Sequence, residues 1–270
     1  NLTYQDGNIS AIDIDGATIF QDAKFTPNGR LQQWIWGSGL TNTFEYNEGR
    51  LTRLASGKSV RDYQHNSINN VTGWHEGDSL TKINYDELDR VISAKVSDGG
   101  QWEYTYDDNG NVSSFESQGK HTDFTYHSGS NRLHKAGEKN YKYDLRGNVL
   151  NDSDHNYQYD DLGRLILVDN EWKYDYDGLN FRVAKTNIKT GQQIQFVYDL
   201  NGQLLGEYLS DGAPIREYIY YKSLPVAMIE NNNIYSIHTD HLDTPRSISN
   251  VEGKTVWEWP FSPKGELIAN

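Results

Sequence analysis

One short unit recurs along this chain and limits what it can fold into. An aromatic residue, Asp, two variable residues, Gly, a polar residue and an aliphatic residue follow one another at 106–112 (YDDNGNV), 143–149 (YDLRGNV), 159–165 (YDDLGRL) and 198–204 (YDLNGQL). The aromatic, acidic and glycine positions are Tyr106, Asp107 and Gly110; Tyr143, Asp144 and Gly147; Tyr159, Asp160 and Gly163; and Tyr198, Asp199 and Gly202. Residues 85–91 (YDELDRV) keep the length with Asp89 in the glycine position, and 25–31 (FTPNGRL) and 65–71 (HNSINNV) are degenerate copies. Copies at 4–9 and 46–51 are one residue shorter, and those at 126–133 and 176–183 one residue longer. The eleven copies begin 16 to 22 residues apart.

Such a period fits two strands and two connections. Stretches before the unit alternate with aromatics, as in Gln101-Trp102-Glu103-Tyr104-Thr105-Tyr106, which is the pattern of a half-buried strand. Asp and Asn accept local backbone N–H bonds where a turn begins, and Gly supplies a positive φ. A lone hairpin is marginal in water, so successive hairpins must pair edge to edge. The expected fold is all-β: consecutive antiparallel hairpins in one continuous, spiralling sheet. The repeated Asp residues are expected as turn acceptors, not as catalytic acids.

Composition agrees with a thin sheet. The chain has 270 residues, 36% of them hydrophobic, with 19 Tyr and 7 Trp against one Met and no Cys; its mean hydropathy is −0.80. Tyr and Trp bury large area while keeping a polar tip wet, so burial is expected from aromatic rows on the sheet. A formal net charge of −13 opposes binding to phosphate backbones and anionic lipid, so neither nucleic acid nor membrane insertion is expected. Without Cys there is no disulfide framework, thiolate metal site or Cys nucleophile. The first residues, NLTYQDGNIS, lack a signal-peptide pattern.

The densest group of chemically capable residues is YSIHTDHLDTPRSIS at 235–249, where His238, Asp240, His241 and Asp243 fall within six positions. Imidazole and carboxylate suit a divalent metal. Strand alternation would send His238 and Asp240 to one face and Thr239 and His241 to the other, which favours a polar closing turn over a ligand set. The run 107–111 (DDNGN) invites a Ca²⁺ reading but lacks the twelve-residue loop and its closing Glu. No GxSxG elbow occurs, and no catalytic residue, metal or cofactor is assigned. Aromatic pairs such as Trp34/Trp36, Trp102/Tyr104 and Trp257/Trp259 fit either cross-strand packing or stacking on sugars.

The repeated unit at this period resembles the Tyr-Asp (YD) repeats of the rearrangement-hotspot, or Rhs, family. The most specific part is the stretch from Gly206: GEYLSDGAPIREYIYYKSLPVAMIE, then YSIHTDHLDTPRSIS, then VEGKTVWEWPFSPKGE. It is similar to the Rhs-associated core segment, with its HTDHLGTP-type string and PFGE-type ending. On this resemblance His238, Thr239, Asp240, His241, Leu242, Thr244, Pro245 and Arg246 are structural motif residues. Residues 1–205 are the repeat sheet, and residues 206–270 are a closing segment at which the repeat gives way to a different element.

The resemblance implies part or all of a hollow shell that encapsulates or delivers a toxic or effector polypeptide encoded C-terminal to it, in bacterial competition or virulence. The partners it implies are that polypeptide cargo and a further shell-closing chain. It also implies a secreted or cell-surface location within a larger bacterial protein. The alternative is a carbohydrate-binding surface module with glycans as partners. Asp243 stands where the family has Gly, the ending reads SPKGE at 262–266, and ELIAN follows without the DPxGx motif near which family members cut themselves. No self-cleavage residue is therefore carried over.

Overall fold

The computed structural model describes residues 1–265. The terminal ELIAN run and Glu266 of the PFGE-like ending lie outside the described residues. Every regular element among the described residues is a β-strand. Strands pair in chain order within a 15-stranded sheet, a two-stranded sheet and an 11-stranded sheet, and the registered pairs are antiparallel. The sequence expectation of consecutive hairpins is met.

The Asp-bearing units are the turns at one end of these hairpins. In 106–112 the Asp107 N–H donates to Asn111 O (2.8 Å) and the Gly110 N–H to Asp107 O (3.0 Å), with Gly110 at φ +84°. This is a type I turn closed by a left-handed residue, and it leaves a bulge where the strands meet. Register shifts fall at Thr125/Tyr126, Gln158/Tyr159, Asp175/Tyr176 and Val197/Tyr198, immediately before the turn each time.

The degenerate copies make the same turn with other atoms. In 25–31 the Thr26 hydroxyl accepts the Arg30 N–H at 2.9 Å, and in 65–71 the Asn66 side chain accepts the Ile68 and Asn70 N–H groups. Asp89 takes the left-handed position at φ +59°, which Asp tolerates because its short side chain bonds locally.

Two sequence readings change. The unit at 176–183 is not longer: Asp177 N–H bonds Phe181 O, and Tyr176 pairs with Arg182, so Arg182 fills the position expected to be aliphatic. The shorter units at 4–9 and 46–51 are a different turn. Asp6-Gly7 and Glu48-Gly49 both have positive φ, and two left-handed residues in a row are the type I′ geometry that matches strand twist. Asp15-Gly16, Gln118-Gly119 and Asn231-Asn232 repeat it at other hairpins.

The chain divides into two compact units: Asn1–Trp102 together with the chain from Tyr218 on, and Glu103–Glu217. The first has a true core. Phe20, Trp34, Trp36, Tyr221, Val226 and Ala227 are buried in one cluster, with Phe20 and Trp34 rings stacked 5.1 Å apart. A second cluster of Leu54, Tyr63 and Trp74 receives Phe261. In the Glu103–Glu217 unit only Tyr104, Ala184 and Phe196 are buried hydrophobics. Ring pairs such as Tyr104–Phe115 (5.2 Å) and Phe181–Tyr198 (5.1 Å) carry its packing.

Candidate functional site

The strands Asn233–Thr239 and Pro245–Ser249 form a hairpin around the HTDHLDTP string. Its turn is another copy of the repeat turn. Asp240 N–H donates to Thr244 O (2.9 Å) and Asp243 N–H to Asp240 O (3.1 Å). Asp240 Oδ1 accepts the Leu242 and Thr244 N–H groups at 2.9 and 3.1 Å, as Asp107 Oδ1 does from Asn109 and Asn111. Asp243 is the left-handed residue at φ +59°. The repeat's turn chemistry persists in this hairpin, because it depends only on an acceptor at the first position and a residue tolerant of positive φ at the fourth.

What differs from the other turns is burial. The Asp240 side chain is 3% exposed and is held by Arg246 Nε at 2.7 Å. In the corresponding Asp160–Arg164 pair both side chains are more than a fifth exposed. His238, also buried, meets Ser249 Oγ through Nε2 (2.8 Å) and Ser56 Oγ through Nδ1 (3.4 Å), with its ring edge-on to Trp36 at 5.3 Å. Burial pushes the His238 pKa down to about 4, so the ring is neutral at pH 7. A Cβ on Gly57 would lie 2.9 Å from that ring.

His241 points elsewhere, onto Tyr63 (4.8 Å between ring centroids). Burial lowers its pKa, opposed by Asp240 and reinforced by Arg61, Arg246 and His65. Asp243 is pushed up, by burial first and then by Asp240. Leu242 is exposed, while Thr239 pairs with Pro245 at the bulge and both are half-buried, as is Thr244. The four candidate ligands do not converge, and no group of three or more His, Asp and Glu able to hold a metal occurs among the described residues.

Beside the hairpin, Trp102, Arg246 and Trp259, which sequence reading noted, meet Ser59, Arg61, Trp74 and Glu76, which it did not single out. Arg61 Nε donates to Glu76 Oε2 (3.0 Å), Ser59 bonds the same carboxylate, and the Arg61 guanidinium sits over the Trp74 ring at 5.6 Å. Arg246 lies over Trp259 at 5.2 Å. Phe261 packs edge-on against Trp74 (4.7 Å) and Trp102 (5.8 Å). These groups bound a cavity of about 350 Å³, open on one side. No local pattern marks Arg61 or Glu76, because their partners are distant in sequence; Arg246 and Phe261 stood in motif stretches.

At the repeat turns, Asp144 Oδ1 accepts from Arg146 and Asn148, Asp160 Oδ1 from Leu162 and Arg164, and Asp199 Oδ1 from Asn201 and Gln203. The Asn111 side-chain amide holds the Asp107 carboxyl below the usual range, Asn148 does so for Asp144, and the Arg164 N–H for Asp160. Gly110, Gly147, Gly163 and Gly202 occupy the left-handed position.

The repeat tyrosines have a function that single units do not reveal. Five of their hydroxyls bond a carbonyl of the preceding unit: Tyr85 to Val71, Tyr126 to Val112, Tyr143 to Leu133 and Tyr176 to Leu165 (2.8 Å each), and Tyr198 to Arg182 (3.2 Å). The signal available in sequence was the interval from each return strand to the next Tyr. Trp34, Trp36 and Trp102 are about 1% exposed and offer no face to a surface glycan.

Residues 80–270 match the family model described as the teneurin YD-shell. The chain belongs to the teneurin YD-shell family. Teneurin-1 of Gallus gallus is 29% identical over 195 residues, covering 68% of this chain and 7% of that protein. The tRNA nuclease WapA of Bacillus subtilis (strain 168) is 25% identical over 276 residues, covering 94% of this chain and 12% of that one. The Tc holotoxin pore of Photorhabdus luminescens shares the fold with a TM-score of 0.79 at 16% identity, over 98% of this chain and 16% of that chain. The crystal structure of TcdB2-TccC3 gives 0.64 at 13% identity, over 97% and 17%. The YD-shell chain thus spans under a fifth of each of these relatives. The Rhs-type resemblance read from the sequence holds, and the role is of shell type.

Proposed function

We propose that this YD-shell chain is a non-enzymatic wall segment that encloses or delivers a polypeptide effector, with residues 206–270 closing the wall laid down by residues 1–205. The motif residues His238, Asp240, His241 and Arg246 act structurally on this reading, and the repeat Tyr, Asp and Gly residues set the turns. The observation that carries it is the burial of the HTDHLDTP hairpin. His238 reaches Ser56, 182 residues earlier, and Phe261 enters the cluster of Leu54, Tyr63 and Trp74. A segment seated that way covers an apolar face of the hairpins that would otherwise be open to water.

The similarity to a Tc holotoxin and to TcdB2-TccC3 supports a toxin-shell setting, and the similarity to the tRNA nuclease WapA is in keeping with a shell that accompanies an effector polypeptide. The partners are a polypeptide cargo and further shell-forming chain, and the location is outside the cytoplasm as part of a longer protein. Containment works by denying the cargo contact with water, proteases and other chains.

Limited proteolysis of the natural full-length polypeptide tests this reading. The cargo region is expected to survive protease concentrations that digest it when it is expressed alone. Equal digestion rates in the two settings would overturn it.

A further inference from the structure

Five arginines of this acidic chain hold a carboxylate: Arg53, Arg61, Arg90, Arg164 and Arg246 each lie within 3.0 Å of an Asp or Glu oxygen. Arg132 does not. Its guanidinium sits over the Tyr143 ring, 6.0 Å from the centroid, and no hydrogen bond or ion pair among the described residues engages it. His127 packs edge-on against the same Tyr143 ring (5.9 Å) and against His134 (4.7 Å). Neither imidazole has a hydrogen-bond partner among the described residues, and the Lys142 ammonium has none either. All four groups line one concavity of about 890 Å³ that opens to solvent, within the ~300–1,000 Å³ typical of small-ligand sites.

The floor and the charge of this concavity are both fixed by the repeat. The Tyr143 ring is held by its hydroxyl, which donates to Leu133 O at 2.8 Å. The acid on the wall, Asp144, is committed to its own turn: Oδ1 accepts the Arg146 and Asn148 N–H groups, and Oδ2 accepts the Asn148 amide. Arg132 and Lys142 therefore outnumber the lining carboxylate, and the local balance is opposite in sign to the chain's −13. Carboxylates more than about 8 Å away are largely screened at physiological ionic strength.

Free guanidinium and ammonium groups beside imidazoles suit an oxyanion with several acceptor atoms, and a guanidinium fork matches phosphate oxygens in pairs. A linear acidic peptide would need its cations in a row, whereas Arg132, His127 and His134 converge around one ring. Tyr141, Leu145 and Leu150 on the same wall offer apolar surface beside the charges. We infer that this concavity binds a small organic phosphate monoester. The phosphate lies on Arg132, Lys142 and the two imidazoles, and the organic group lies against Tyr141 and Leu150. The site belongs wholly to the Glu103–Glu217 unit and does not depend on the enclosure reading.

The test titrates the 270-residue chain with phenyl phosphate, adenosine 5′-monophosphate and inorganic phosphate, read by calorimetry and by the imidazole NMR signals. Saturable binding of at least one ester is expected, tighter than that of inorganic phosphate, with shifts at His127 and His134. Arg132→Gln removes a guanidinium with no hydrogen bond to the fold, so it is expected to weaken binding about tenfold with an unchanged thermal midpoint. Lys189→Gln, which removes a cation of the same unit paired with Glu171, is expected to leave affinity unchanged. Absence of saturable binding for both esters overturns the inference, as does an equal loss in Arg132→Gln and Lys189→Gln. Tighter binding of a glutamate-rich peptide than of either ester assigns the patch to an acidic peptide and overturns it. Pelleting with phosphatidate-containing vesicles, without binding of the soluble esters, overturns the assignment to a small molecule.

Discussion

Acidification should loosen the closing hairpin through His238. Its ring is buried between Ser249, Ser56 and Trp36, and the cationic groups lining the space beside it are Arg61 and Arg246. Burial lowers its pKa from 6.5 to about 4. Above pH 6.5 the imidazole is neutral in both the folded and the unfolded chain and adds no pH dependence. Between 6.5 and about 4 the unfolded chain takes up a proton that the folded chain refuses, so stability falls as pH falls. Below about 4 both forms are protonated and the slope vanishes. At 1.36 kcal/mol per pKa unit the full loss is about 3 kcal/mol, a large part of a domain's total stability.

The pH response of the whole chain is not that of His238 alone, so the measurement has to be a difference. Urea unfolding followed by Trp fluorescence, at intervals from pH 7.5 to 4, should be run on the wild type and on His238→Gln. Gln keeps a hydrogen-bonding side chain and cannot be protonated. The substitution costs stability at pH 7.5, and the wild-type advantage should shrink by about 3 kcal/mol on reaching pH 4. Parallel curves for the two proteins would refute the argument. So would an NMR titration in which the His238 ring protonates above pH 6.

Two further changes probe the turns and the ladder. Asp243→Gly should stabilise the protein by about 1 kcal/mol, measured by urea denaturation, because Gly removes both the left-handed penalty and a negative charge beside Asp240. Tyr126→Phe deletes the 2.8 Å bond to Val112 O and should cost about 1 kcal/mol, with faster amide exchange at the Phe124–Ala136 pairing than at distant strands.

Much of this protein was readable because turn chemistry is local. An acceptor that bonds N–H groups two and four residues ahead, with a left-handed residue between them, leaves its mark in five consecutive letters. That is why the hairpins at 106–112 and 159–165 were located from sequence, and why Asp89 was recognised in a glycine position. Substitution hid the rest: Arg182 replaced an aliphatic residue, and Asp240–Asp243 made the same turn without its aromatic or its glycine.

The tertiary structure decided what each turn is near. Sequence alternation placed His238 and Asp240 on one face, and both are buried. It could not say that Ser56, Gly57 and Trp36 would surround that His, or that Arg61 and Phe261 would border one cavity. Those contacts join residues up to about 200 positions apart, and they are set by how successive hairpins stack rather than by any local preference. The sequence alone determined a chain of antiparallel hairpins; only the folded arrangement turned a string of possible metal ligands into a buried fastening.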